Sequence, residues 1–144
     1  MDKALNYMAL ARKAGRIELG EEPVGAAARA QKARLVMVAS DAGDHTWRRA
    51  KSFVAGTDQI AIKIPFTKDE MGQATGRTSL AIAAFTDPAM ALAMLKALAD
   101  PKYAEAMENL DKRTQRSRQH QAEEKAHQRN KKMGRSRTAV KKEH

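Results

Sequence analysis

Gly20 and Gly25 have the G-x-x-x-x-G spacing that opens a phosphate-binding loop. Such a loop continues with Lys and then Ser or Thr, which reach phosphate and magnesium. Ala26 and Ala27 stand there instead, and Glu21 and Glu22 would repel a triphosphate, so nucleotide hydrolysis is set aside. Ser40-Asp41-Ala42-Gly43-Asp44-His45 gathers residue types that hydrolases use. A catalytic triad needs a nucleophile hydrogen-bonded to a base that a third group orients, and this spacing suggests none. The segment reads as a strand-to-helix loop with capping aspartates and a surface histidine. His120 and His127 lie in a polar stretch without cysteine or a carboxylate constellation, so no metal is expected there. No catalytic residue, metal or cofactor is assigned.

What remains is charge. The 144 residues carry 27 Lys plus Arg against 17 Asp plus Glu, a net charge of +10. Residues 1–100 hold 14 basic and 11 acidic side chains, and residues 101–144 hold 13 and 6, so the last third carries most of the positive field. Such a field attracts polyanions, of which nucleic acid is the commonest in a cell. A membrane surface would want bulky apolar residues beside the charges, and the stretch past Leu110 has almost none. There is no cysteine, which excludes disulfides and Cys-based zinc sites. Met1-Asp2-Lys3 leads into an amphipathic stretch rather than an apolar signal. No run approaches the roughly eighteen apolar residues of a bilayer span. A cytoplasmic protein with no membrane partner is expected. Lys13, Arg16, Arg29, Lys32, Arg34 and Arg77 flank the second predicted helix or sit in turns. Sparse aromatics argue against a stacking platform for single-stranded RNA.

The elements that must position these residues follow from periodicity. Asp2 can cap a helix in which Leu5, Met8 and Ala9 share a face, and Gly15 suits its end. A short extended piece, 16–19, precedes a helix opened by Gly20-Glu21-Glu22-Pro23 and running to about Lys32; proline and acids both suit a first turn. Leu35 to Ala39 is a continuous apolar run, as in a strand buried on both faces. Asp44 can cap a third helix presenting Trp47, Ala50 and Val54. Ile60, Ile62 and Ile64 alternate along a strand that Pro65 ends. Thr67-Lys68-Asp69-Glu70 has capping-box spacing for a helix ending at Gly76. Leu80 to Phe85 is a strand, and Asp87-Pro88 opens a helix with Ala91, Met94, Leu95 and Leu98 on one face. Strands alternating with helices predict an α/β domain over residues 1–100, with a mixed sheet of about four strands covered on both faces. Tyr103, Met107 and Leu110 extend a helix for about two turns. The rest of 101–144 lacks the apolar surface to offset its ordering entropy and reads as a mostly disordered or transiently helical basic tail.

Three segments in register resemble the kink-turn-binding ribosomal-protein family of the archaeal L-seven-Ae type, and most nearly its small bacterial paralogues. They are Leu5 to Arg16; Gly20-Glu21-Glu22 with Lys32 to Ala42; and Met71 to Arg77 leading into Phe85-Thr86-Asp87. The resemblance spans residues 3–98. It implies a three-layer α/β/α sandwich that binds sharply bent RNA at the start of its second helix and at the loop after its fourth. The family's Gly, Asn, Glu and Lys there fall on Gly20, Glu22, Pro23 and Ala26, so only the glycine matches. The second loop falls on Gly76, Arg77, Thr78 and Ser79.

The RNA-binding residues are thus expected to be Lys13, Arg16, Gly20, Glu21, Glu22, Arg29, Lys32, Arg77, Thr78 and Ser79. Arg16, Gly20, Glu22 and Arg77 are expected on one patch. The expected function is non-catalytic binding of structured RNA, ribosomal or kink-turn-like, by a ribosome-associated monomer. The alternative is a protein-interaction module whose RNA face has decayed and whose basic tail docks an acidic protein. The sandwich also resembles substrate-binding domains of some RNA methyltransferases, but no catalytic domain follows in this sequence.

Overall fold

The computed structural model describes residues 2–143, with side chains for 2–116 and 118–126. The chain divides into two compact units, Met1–Asp111 and Lys112–His144. Along it run α1 (Lys3–Ala14), β1 (Ile17–Leu19), α2 (Glu21–Arg29), β2 (Leu35–Val38), α3 (Asp44–Val54), β3 (Ala61–Lys63), α4 (Lys68–Thr75), β4 (Ile82–Phe85) and α5 (Pro88–Leu98). A 3-10 turn, Pro101–Tyr103, leads into α6 (Ala104–Glu143).

Local signals set most of these boundaries. The Asp2 carboxylate accepts from the Ala4 N–H at 2.8 Å, and Gly15 closes α1 at φ 68°. Thr67 and Glu70 form a reciprocal capping box on α4, and Gly76 ends it at φ 77°. Asp87 caps α5, with Pro88 in the first turn. Two expectations shift. Gly43 caps α3, and Asp44 sits inside its first turn, where a carboxylate favours the helix dipole. α2 ends at Arg29 rather than near Lys32, because Gln31 takes φ 59° and the Lys32 N–H turns back to the Ala27 carbonyl at 2.8 Å.

The sheet has the order β1-β4-β2-β3, with β4 antiparallel to both neighbours and β2 parallel to β3. Alternation then divides the core. Ile17, Leu19, Leu35, Met37, Ala83 and Phe85 share one apolar cluster with residues of α1, α4 and α5. Val36, Val38, Ile82 and Ala84 share the other with residues of α2 and α3. Each buried Val, Leu, Ile, Met or Phe contributes about 1.5–3 kcal/mol, and β2 and β4 bury every residue, which makes them the centre of the fold. The architecture is the expected three-layer α/β/α sandwich on a mixed four-stranded sheet.

The compact unit runs past residue 100. Tyr103, Ala106 and Leu110 are buried in the first cluster, so the start of α6 belongs to the domain. Beyond Asp111 the backbone continues as helix to Glu143, where a disordered or transiently helical tail was expected from the lack of apolar surface. The segment is rich in Lys, Arg, Glu, Gln and Ala, which are good helix formers, and 119–123 and 120–124 form i,i+4 side-chain pairs. Among the described residues, no helix is long and apolar enough to cross a membrane.

Candidate functional site

Gly20 joins β1 to α2. Its φ of 95° is open to glycine and strained for other residues. Its N–H donates to the Ile82 carbonyl at 3.0 Å, and its carbonyl accepts from Val24 N–H. Because Pro23 has no N–H, the first turn of α2 presents the N–H groups of Glu21 and Glu22, which have no intrahelical partner. The loop after α4 meets this turn. A Cβ on Gly20 would lie 3.8 Å from Arg77 Nη1, so the expected proximity of Arg77 to the α2 start is present. Gly72 fixes that loop: a Cβ there would fall 2.7 Å from the Arg77 carbonyl oxygen and 2.9 Å from the Ser79 nitrogen. Thr78 and Ser79 are exposed on the same loop.

A cleft of about 520 Å³ opens between α2 and α3, lined by Glu21, Glu22, Gly25, Arg29, Arg49 and Phe53. Arg29 starts from the far end of α2, but its side chain points back toward the helix N-terminus, as helical side chains do. Its Nη1 would be 3.4 Å from a Cβ on Gly25. Arg49 Nε donates to Glu21 Oε1 at 2.5 Å, and its guanidinium lies 5.4 Å from the Phe53 ring centroid. Glu21 is therefore not the bare carboxylate that the sequence suggested. Arg49 and Phe53 were not among the expected site residues. Their i,i+4 spacing on a helix was the signal available, since it puts cation and ring on one face.

The remaining expected residues lie elsewhere. Lys13 is in the last turn of α1, Arg16 precedes β1, and Lys32 follows α2. All three are exposed at the sheet end where β1 and β2 begin, whereas Gly20 sits where β1 ends. The single patch joining Arg16 to Gly20, Glu22 and Arg77 is thus divided: the last three gather at the α2 start, and Arg16 lies at the opposite end of β1. Trp47 lies on α3 with Lys51 Nζ at 5.6 Å and Lys63 Nζ at 5.3 Å from its ring.

Among the described residues no group of three metal-ligating side chains converges. His45 is exposed in the first turn of α3, and His120 Nε2 lies 2.9 Å from Glu124 Oε1. Of the cationic clusters in the second unit, Arg113 is buried while Arg116 and Arg118 are exposed. His127 and the cluster Arg129, Lys131 and Lys132 lie outside the residues whose side chains are described.

No protein-family model matches the sequence, and no curated protein matches it. Solved structures do. A protein of unknown function from Bacillus halodurans has a TM-score of 0.63 at 22% identity, covering 69% of this chain and 100% of that one. The Giardia lamblia 15.5 kD RNA binding protein has a TM-score of 0.54 at 17% identity, covering 66% of this chain and 81% of that one. At these identities the likeness establishes the fold.

Proposed function

We propose that this chain is a non-catalytic binder of structured RNA, working as a monomer in the cytoplasm in association with ribosomes or their assembly. The observation that carries the proposal is the Arg77 guanidinium beside Gly20, where two backbone N–H groups of α2 are unengaged within the helix. A cation and a helix N-terminus together suit a phosphate. The net charge of +10 and the fold shared with an RNA-binding protein support the same reading.

The resemblance to the kink-turn-binding family narrows the substrate to bent RNA, with weakened discrimination. Pro23 and Ala26 stand where the family has Glu and Lys, and one base-reading contact is worth about 1–3 kcal/mol. Titration of a labelled kink-turn and a matched duplex tests both parts. Arg77→Gln is expected to lower affinity roughly tenfold, the equivalent of about 1.4 kcal/mol. Unchanged affinity would remove the site. A kink-turn preference above about a thousandfold, or about 4 kcal/mol, would contradict the weakened readout. The Glu21–Arg49 pair favours a second reading, a protein-interaction module, because it consumes a cation at the cleft. Crosslinking in cells that recovers no RNA above background would select it.

A further inference from the structure

The end of the sheet opposite Gly20 is also cationic. β1 and β2 both begin there, on either side of β4, whose Phe85 pairs with Ile17 and with Leu35. Arg16 and Arg34 therefore precede the two strands and flank the Phe85–Thr86 backbone. Their main chains are fixed. Arg16 donates its N–H to the Ala11 carbonyl at 2.8 Å and accepts from Thr86 N–H at 2.9 Å. Arg34 donates its N–H to the Phe85 carbonyl at 2.7 Å. Two inter-strand spacings set the two residues about 10 Å apart. Lys32 belongs to the same edge, held by its N–H bond to the Ala27 carbonyl. The buried side chain of Gln59 secures the segment, accepting from Ala33 N–H and donating to the Ala28 carbonyl, each at 3.0 Å.

The fold accounts for these cations only in part, since Arg16 and Lys32 follow the C-terminal ends of α1 and α2 and Arg34 follows no helix end directly. A basic residue in a last helical turn complements the helix dipole, which explains Lys13 in α1. Arg16, Lys32 and Arg34 lie outside the helices. Arg16 and Lys32 are exposed and Arg34 is half-buried. None of the three is ion-paired among the described residues. Of the acids at this edge, Asp87 uses its carboxylate to cap α5 through the Ala89 N–H. Three like charges on rigid backbone repel one another, and a polyanion relieves that repulsion.

We propose that Arg16, Lys32 and Arg34 form a second phosphate-binding edge, which grips the backbone of duplex RNA at the end of the sheet opposite Gly20 and Arg77. The proposal rests on the RNA reading for its polymer but not for its residues. With phosphates held at both ends, the domain binds two segments of RNA at once, one against α2 and one against the strand starts. Phosphate recognition of this kind adds affinity without sequence preference.

The test uses the full chain and a labelled duplex RNA over a range of salt. R16Q/K32Q/R34Q is expected to weaken binding about ten- to a hundredfold. It should also flatten the slope of log affinity against log salt by about 0.9 for each phosphate no longer neutralised. R16K/R34K, which keeps the charges, should retain the slope. Thermal unfolding reports whether the triple variant is folded. R16Q/K32Q alters only exposed side chains and should show part of the same weakening. R77Q alone separates the two sites. Weakened binding with R77Q and unchanged binding with the triple variant overturns this edge and leaves the earlier site standing. The reverse result supports the edge and removes the earlier site. The quadruple variant should show the two effects additively, as separate sites do. A quadruple effect no larger than that of R77Q would overturn the edge. An unchanged salt slope would also overturn it, and that is the outcome expected if an acidic protein is the partner here.

Discussion

Gly20 and Arg16 flank the same three-residue strand, yet their surroundings are built differently. At the Gly20 end, packing places the functional groups. Arg77 is carried on a loop pressed onto Gly72, and the ring of Phe53 closes on Gly25, where a Cβ would meet it at 3.0 Å. Charges there answer one another, with Glu21 paired to Arg49 and Arg29 drawn back into the same cleft. At the Arg16 end, backbone and amide hydrogen bonds place the cations, and none of Arg16, Lys32 and Arg34 is ion-paired among the described residues. One end should therefore fail when a side chain is added, and the other when a hydrogen-bonding group is removed.

Gly72→Val should produce the largest effect. Its new methyls would run into backbone atoms of Arg77 and Ser79, which cannot swing away as a side chain can. Overpacking of this kind costs about 3 kcal/mol. For a domain of this size that lowers the melting midpoint by on the order of 10 °C or more. RNA binding at the Arg77 end should fall with it, while the salt slope owed to Arg16, Lys32 and Arg34 persists in the folded fraction. A midpoint equal to that of the parent would show that the loop yields freely, and the contrast between the two ends would collapse.

Gln59→Leu is the complementary test. Leucine fills similar space but leaves the Ala33 N–H without its acceptor, at a cost of about 2 kcal/mol for a buried donor. The Ala28 carbonyl keeps Gln31 N–H as a partner. Urea denaturation should register the loss, and amide exchange should quicken at residues 32–34 with little change at 76–80. Uniform quickening across both segments would mean that the ends are not separately secured.

Glu21→Gln should have the smallest effect on stability. Both partners of the Arg49 pair are about half exposed, so the change should stay within about 0.5 kcal/mol. RNA affinity should rise about two- to threefold, because a carboxylate leaves the α2 start and Arg49 is released. A fall in affinity would mean that Arg49 must be held by Glu21 to act.

The layers of the fold were legible because their signals are local. The run from Leu35 to Ala39, the capping box at Thr67 and Glu70, and the Asp87-Pro88 helix start each announce an element without reference to the rest of the chain. Element ends were less so, since Gln31 in a left-handed conformation is not a residue that composition singles out. The grouping of the site depended on strand order. Arg16 is four residues from Gly20, which invites placing them together, but an extended strand carries them about 13 Å apart. The pairing of β4 between β1 and β2 then puts Arg16 and Arg34 at the same end of the sheet, one strand between them, although they are eighteen positions apart and Arg34 was singled out only as a charge. Arg49 escaped notice because its role comes from pairing with Glu21 across two helices. The reach of the core to Leu110 was foreshadowed by Tyr103, Met107 and Leu110, whereas helix beyond Asp111 rests on propensity rather than burial.

The hydroxyl of Tyr103 donates to the Lys63 carbonyl at 2.9 Å. β3 is the outermost strand on its side of the sheet, and an open strand edge is a template on which a second chain can add. Here a carbonyl at the end of that edge is already occupied, the lysine that owns it carries a charge, and Pro65 just beyond has no N–H to offer. The turn that begins α6 thus keeps the sheet from growing by strand addition. A chain cut before Tyr103 would lose that guard as well as part of its core, and should stick to copies of itself through β3.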